Sequence, residues 1–388
     1  MGCEGLLPPR DRVNHHRILS VASASAAVAS CVLSLASCNS PSVRVLGRHT
    51  ANVLSIAWSP DSRYLASSAW DSTVRIWDVL RGGPQSVLHT KSSPTYQVRW
   101  SAADSQLSLV TEETVEFWDP RSDSASSVIH LEPHGGTWMR VAWSPDGQRA
   151  AVYGWGDGTV QIQQPAIKSA PLVLHGHTGG QVATADWSAD DKFLASGGAV
   201  GDRTVRIWDA RTGRQLQVIR TGTGNWIAVT WAPKGSRLAW HGYSDHTVHV
   251  WDGPPYREIS TLEHTANVEK IAWGPDGMLL VSADRRGALR LWNSVTGELV
   301  RKTPDVGSLV DVNFDAAWDA GTPYFAAVLD QRIVIWDTAT GEMKQRSVGE
   351  EPVVALAWSP DGRWLAAGGY YGSIGVWETA KVEGKSLR

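Results

Sequence analysis

Gly176-His177 opens, and Thr204-Val205-Arg206-Ile207-Trp208-Asp209 closes, the stretch whose reading decides the fold. Between them an apolar alternating run ends on Trp187, Leu194-Ala195-Ser196 makes a second run, and Asp202 sits in a tight turn. Alternation with period two marks strands whose two faces differ, and clusters of Gly, Pro, Asp and Ser between such runs are turns. The same unit recurs through the chain. Its last strand ends at Trp77, Trp118, Gln163, Trp208, Trp251, Trp292, Trp336 and Trp377, so the steps are 41, 45, 45, 43, 41, 44 and 41 residues. A period in that range is the signature of a repeat architecture in which each unit buries its face only against a neighbour.

Composition agrees with one unit copied many times. The 388 residues hold 21 Trp and 37 Gly beside only 4 Phe and 3 Cys. With 36 basic and 39 acidic residues and a formal charge of -3, no electrostatic footprint for nucleic acid or for an anionic membrane surface is present. Runs such as Val53-Leu54-Ser55-Ile56-Ala57-Trp58 make strands, and Ser59-Pro60-Asp61-Ser62, Ser144-Pro145-Asp146-Gly147, Gly274-Pro275-Asp276-Gly277 and Ser359-Pro360-Asp361-Gly362 make hairpin turns. No helical periodicity competes with them.

The period and the Trp-Asp endings over residues 43 to 377 resemble the WD-repeat family of β-propellers. The resemblance implies an all-β, eight-bladed propeller of four-stranded antiparallel blades, a non-enzymatic scaffold for protein or peptide partners. It also implies a tetrad in each blade, in which a loop His, a Ser or Thr, the turn Asp and the third-strand Trp lock the unit by hydrogen bonds. The positions that match are His49, Ser67 or Ser68, Asp71 and Trp77 in blade one, His177, Ser196, Asp202 and Trp208 in blade four, and Asp245 and Trp251 in blade five. Blade two has Glu112 at the Asp position, blade three Gln163-Gln164 for Trp-Asp, blade six Arg286 and blade eight Tyr371; blade seven lacks the loop His and has Phe314 at the first-strand Trp position. Amide exchange is therefore expected fastest in blades two, three, seven and eight.

Eight three-strand groups leave seven outer strands in the connectors, about Gln85 to Leu88, Ser127 to Leu131, Leu172 to Leu174, Gln215 to Ile219, Glu258 to Leu262, Glu298 to Arg301 and Glu342 to Ser347. The eighth is expected at Ser42 to Leu46, paired with Ser373 to Trp377, so that both termini close one blade and no edge stays open. Val382 to Leu387 competes for the same edge.

Fourteen Trp end first or third strands, and seven are left over. Trp240 and Trp364 read as core, and Trp318 as a turn residue. Trp138 and Trp226 start first strands, while Trp70 and Trp155 flank the tight turn, with Tyr243, Arg285, Tyr370 and Tyr371 in comparable positions. The resemblance places these around the mouth of the central channel. Aromatics with Arg have the composition of an interface hot spot, so these eight are the candidate partner-binding residues. They would equally suit a carbohydrate or another small molecule.

Enzyme chemistry finds little support. Thr-Gly turns such as Thr212-Gly213 faintly echo the repeats of quinoprotein dehydrogenases, but Leu216, Val300 and Gln345 follow where that family has a further Trp. Gly372-Ser373-Ile374-Gly375 lacks the spacing of a nucleophile elbow. His241, His246 and His249 with Asp245 form a His cluster, yet His246 and His249 are an odd number of residues apart and face opposite ways on a strand. No catalytic residue, metal ligand or cofactor is expected.

The amino terminus reads separately. Arg10, Arg12 and Arg17 precede an uncharged stretch from Ile18 to Ser37, followed by Leu35-Ala36-Ser37-Cys38, which resembles the lipobox of bacterial lipoproteins. The organisation expected is an export signal at 1–37, a tether at 38–42 and the propeller at 43–388, with Cys38, or Cys31, as the lipidated residue. That implies a monomeric propeller held on a bacterial membrane outside the cytoplasm only by its lipid, or a cytoplasmic protein if the segment is not used as a signal. Leu6 excludes an amino-terminal myristoylation motif.

Overall fold

A computed structural model describes residues 43–378 except 91–93, 103–105, 112–113, 121–124, 131–138, 165–169, 223–224, 306–315, 319–322, 330 and 347–349. They lie in the compact unit Pro41–Arg388, and their strands form eight four-stranded antiparallel sheets, the blades of an eight-bladed β-propeller. Seven blades are consecutive meanders. The eighth takes Val353–Trp358, Trp364–Gly369 and Ser373–Glu378 from the end of the chain and Arg44–Arg48 from its beginning. Arg44 pairs with Val376 and Arg48 with Ser373, so the amino-terminal strand closes the ring, as the count of outer strands requires.

The first strands are Val53–Trp58, Gln97–Trp100, Met139–Trp143, Val182–Trp187, Ile227–Trp231, Val268–Trp273, Ala316–Trp318 and Val353–Trp358. Each packs against the first strand of the next blade, and the last packs against the first. Two kinds of bond join them. The Trp that ends a first strand donates its indole N–H to a carbonyl of the preceding blade: Trp58 to Ala357, Trp100 to Ala57, Trp187 to Ala142 and Trp273 to Thr230, at 3.0 to 3.1 Å. In return, polar side chains accept backbone N–H groups from the following blade: Gln97 from Val141, Thr184 from Val229 and Asp186 from Trp231.

Trp318 makes the same bond to Ala272, at 3.2 Å. Sequence reading put Trp318 in a turn and gave its place to Phe314, which lies outside the described residues. The correction has a simple cause. Blade seven has no loop His to mark the register in the sequence, and Trp318 pairs with Phe325 as Trp58 pairs with Leu65 in blade one.

Apolar side chains fill the gap between every pair of neighbouring blades. Trp58, Leu65 and Trp77 of blade one meet Ala355, Trp364 and Ile374 of blade eight, and seven further clusters repeat the arrangement round the ring. Second strands are covered on both faces, so their alternation disappears into runs of small buried residues such as Leu65-Ala66-Ser67-Ser68-Ala69. A Cβ on Gly197 would come within 2.2 Å of the Ile227 carbonyl oxygen, and one on Gly368 within 2.5 Å of Val53 Cγ1. Nothing larger than glycine fits there.

The hairpins between first and second strands share one device. Ser59, Ser144 and Ser359 donate their hydroxyls to Asp61, Asp146 and Asp361 at 2.5 to 2.6 Å, and accept the N–H of Tyr64, Arg149 and Trp364. The Ser-Pro-Asp signal is thus a turn that fastens itself.

Candidate functional site

The locks come first, because they fix the loops that carry the site. In blade one Trp77 Nε1 donates to Ser67 Oγ at 2.7 Å, and Ser67 lies 2.7 Å from His49 Nε2, whose Nδ1 faces Asp71 at 3.1 Å. With the imidazole neutral, the serine hydroxyl accepts from Trp77 and donates onward to His49 Nε2, and the ring carries its proton on Nδ1 for Asp71. Burial pushes His49 and His177 below the usual imidazole range despite their Asp partners. Burial alone would raise Asp71 and Asp202, but hydrogen bonds from Thr73 and Thr50 to the first, and from His177 and Thr204 to the second, hold each at about 2. Blade four repeats the chain through Trp208, Ser196, His177 and Asp202.

Elsewhere the lock changes. In blade six Trp292, Ser282 and His264 are linked as before, but His264 Nδ1 donates to the Leu262 carbonyl at 3.0 Å while Asp284 pairs with Arg290. In blade eight Glu351 accepts the N–H of Tyr371 at 2.6 Å. Blade five departs in another way. Trp240 stands at the Ser position, pairs across with His249 and stacks on it at 4.0 Å, and Trp251 Nε1 has no hydrogen-bond partner among the described residues. The lock expected at Asp245 and Trp251 is therefore not closed, because a Trp in the second strand removes the hydroxyl that would join them; Asp245 accepts from Thr247 instead.

These loops deliver one backbone position per blade to the same end of the channel. The residue after each second strand donates its N–H to the residue before the first strand: Trp70 to Asn52, Ala199 to Gln181, Tyr243 to Trp226, Arg285 to Asn267 and Tyr370 to Pro352. Trp155 holds the corresponding place in blade three, after Gly154, and bridges to Gln181. Trp70, Tyr243, Tyr370 and Tyr371 stay 40 to 61% exposed, and Trp155 is 38% exposed. The ring contacts are edge-on: Trp70 with Tyr96 at 5.8 Å, Trp155 with Trp226 at 6.4 Å and Tyr370 with Tyr371 at 5.3 Å. Trp138, the remaining residue of the set, lies outside the described residues, as does Glu112.

Below this mouth lies a cavity of about 710 Å³ lined by Tyr96, Trp226, Tyr243 and Arg285 at the top and by Arg99, Arg140, His241, Glu269 and Lys270 deeper in. Sequence reading missed Tyr96 and the deeper set. Their signal was present, since Arg99, Arg140 and Lys270 stand one or three residues before a first-strand Trp. His241, His246 and His249 do not meet: His241 is buried on the channel wall while His249 stacks on Trp240 and contacts Glu258. Among the described residues no group of three or more His, Cys, Asp or Glu is placed to hold a metal ion.

Comparison with known proteins follows the repeats. Residues 40–78, 169–209, 213–252 and 343–378 match the family described as WD domain, G-beta repeat. Residues 237–314 match the anaphase-promoting complex subunit 4 WD40 domain. The chain is 29% identical over 258 residues to cell division cycle 20.1, cofactor of APC complex, of Arabidopsis thaliana, covering 62% of this chain and 54% of that protein. It is 28% identical over 245 residues to anaphase-promoting complex subunit cdc20 of Dictyostelium discoideum (62% and 48%), and 25% identical over 249 residues to protein FIZZY-RELATED 3 of Arabidopsis thaliana (62% and 50%). The chain spans about half the length of these relatives. They are eukaryotic proteins named for a cell-cycle complex, which overturns the expectation of a bacterial lipoprotein anchored outside the cytoplasm. Cys38 and Cys31 lie outside the described residues.

Proposed function

We propose that this WD-repeat propeller is a non-enzymatic scaffold that docks protein or peptide partners on the channel-mouth face, through Trp70, Trp155, Trp226, Tyr243, Arg285, Tyr370 and Tyr371. One observation carries the reading. The repeat offers the same hydrogen-bonded position in five blades, filled by Trp70, Ala199, Tyr243, Arg285 and Tyr370; Ala199 shows that a small residue closes the turn, yet the other four are large and exposed, as is Trp155 at the corresponding place in blade three. Large rigid aromatics and Arg left in solvent are the anchors that dominate binding energy at interfaces. The relatives' names, a cofactor and a subunit of a multi-protein complex, support a protein partner over a small molecule.

The test is a photo-crosslinking amino acid placed at Trp70 or Tyr370, and in a control at Leu80, exposed in the turn at the other end of the blade. Protein adducts at the two mouth positions at least about tenfold above the control support docking there, and equal yields at all three positions overturn it. The double variant Trp70→Ala/Tyr370→Ala loses the adducts formed by a crosslinker at Tyr243 with its melting temperature nearly unchanged. A large loss of stability makes these packing residues.

A further inference from the structure

The outer edge of blade four stands apart in charge. Its last hairpin, residues 203–220, holds Arg203, Arg206, Arg211, Arg214 and Arg220 against one acid, Asp209, in a chain whose formal charge is -3. The matching stretch of blade five, 246–263, holds Arg257 against Asp252, Glu258 and Glu263, and that of blade two, 113–130, holds Arg121 against Glu113, Glu116, Asp119 and Asp123. Arg206 is taken up by Asp202 and Gln215. Arg203, Arg214 and Arg220 are exposed and make no side-chain hydrogen bond or ion pair among the described residues. Arg203 also holds φ at 50°, the left-handed turn position that Gly158, Gly287 and Gly372 occupy in blades three, six and eight. A side chain is strained there, so the turn itself gives no reason for Arg.

The strand between these cations is an unguarded edge. Gln215–Arg220 pairs on one side with Thr204–Asp209 and is the last strand of its sheet. Thr221 N–H donates to the Arg203 carbonyl, and hydrogen-bonded pairs alternate along an antiparallel ladder. Gln217 and Ile219 therefore turn their backbone groups inward, and Val218 and Arg220 turn theirs outward. Natural edges are blunted by charges within the strand, by Pro or by shortness. The outer strands Arg257–Glu263, Leu299–Lys302 and Met343–Arg346 carry charges, Pro84–His89 opens on Pro, and Leu172–Leu174 has three residues. From Gln215 to Ile219 there is neither charge nor Pro. Ala125–His130 is equally plain, but it lies in the acidic hairpin of blade two.

We propose that this edge accepts an extended acidic segment of a protein partner as a fifth strand of blade four, its backbone on Val218 and Arg220 and its carboxylates on Arg203, Arg214 and Arg220. Main-chain hydrogen bonds supply affinity in such strand addition, and Arg–carboxylate pairs choose the partner. At about 3.3 Å per residue Arg214 and Arg220 are roughly 20 Å apart, so the segment carries acids at both ends of a short apolar run. The same cations oppose a second copy of this chain, since two such edges paired centre to centre would set Arg against Arg. The edge is the fourth strand out from the channel, and binding there is independent of docking at the mouth.

Fluorescence anisotropy on the full chain tests it with a labelled peptide, Glu-Glu-Val-Thr-Val-Thr-Val-Glu-Glu, a second with Gln for every Glu and a third with Pro for both Thr. The Glu peptide is expected to bind with Kd on the order of 100 μM, and the Gln and Pro peptides at least about tenfold more weakly. Arg214→Glu with Arg220→Glu, on exposed side chains, lowers affinity at least about tenfold with the melting temperature unchanged. Val218→Pro, which removes an N–H outside the ladder, does the same, whereas Arg81→Glu on the outer turn of blade one changes nothing. In hydrogen exchange the amides of Val218 and Arg220 gain protection when the Glu peptide binds. No binding of that peptide at about 1 mM, equal binding of the Gln or Pro peptide, or binding indifferent to the edge variants overturns the proposal. So does dimerisation that Val218→Pro abolishes, which gives the edge to a second copy.

Discussion

Blades four and five stand side by side and close the same wedge by different means. In blade four a serine hydroxyl joins Trp208 to His177 and Asp202, and every polar atom of that chain has a partner. In blade five Trp240 takes the serine's place, and stacking supplies what hydrogen bonds do next door: Trp240 on His249, and Phe193, Trp231 and Tyr256 on one another at 6.0 to 6.5 Å. In and beside blade five, Trp231 Nε1, Trp240 Nε1, Trp251 Nε1, His241 Nδ1 and Tyr256 Oη are buried polar atoms without a hydrogen-bond partner among the described residues. The wedge shape is thus a packing requirement, which aromatic area meets as well as a hydrogen-bonded tetrad does. The tetrad adds satisfied polar groups and a register.

The sharpest way to break the comparison is to remove the Trp. Trp208→Ala should cost about 3–5 kcal/mol, read from the denaturant midpoint, by loss of a fully buried indole. Trp251→Phe should be nearly neutral, since it deletes an N–H that already lacks a partner. Equal and large losses for Trp208→Phe and Trp251→Phe would show that both blades depend on packing alone.

Next in size is the hinge of the lock. Ser196→Ala leaves Trp208 Nε1 and His177 Nε2 unpaired together, and at about 1–3 kcal/mol for each buried orphan the loss is roughly 2–6 kcal/mol. Ser67→Ala should match it in blade one. A loss below about 1 kcal/mol in both would mean that the hydroxyl link contributes no more than an exposed hydrogen bond.

Acid should separate the blades by sign. His49 and His177 titrate below 6.5 in the folded chain, so unfolded imidazoles take up protons first; this stability is complete above that pH and lost as pH falls. Asp71 and Asp202 add a second loss as pH falls from about 4 through their folded value of about 2. His241 in blade five and His264 in blade six are pushed down to about 4 by burial, so hydrogen exchange should show blades five and six losing protection on acidification along with blades one and four. We also expect blades two, three, seven and eight to exchange faster than blade four at neutral pH.

The smallest effect runs the other way. Asp186, between blades four and five, accepts the N–H of Trp231 and of Trp187, yet burial pushes it up to about 6. Its folded carboxyl holds a proton more tightly than the unfolded one, so its contribution to stability falls as pH rises from about 4 to 6. Asp186→Asn should remove that slope from the melting temperature between pH 4 and 7 at little cost in stability. An unchanged slope would assign it elsewhere.

The sequence by itself determined the repeat, the number of blades, the outer strands and the closure by an amino-terminal strand, expected at Ser42 to Leu46 and found at Arg44–Arg48, because period-two alternation, turn residues and strand counting are local or arithmetic properties. It also placed Trp70, Tyr243, Arg285 and Tyr370, since equivalent positions in a repeat meet equivalent surroundings. It failed at Trp318, where no loop His marks the register, and at Trp251, where Trp240 in the second strand removes the hydroxyl that would join it to the lock. Only the tertiary structure decided which side chains share the channel. Arg99, Arg140, His241 and Lys270 come from blades two, three, five and six, and nothing along the chain joins them. Their meeting depends on the closed ring, which turns each first strand inward and sets residues from separate repeats at one depth round a single cavity.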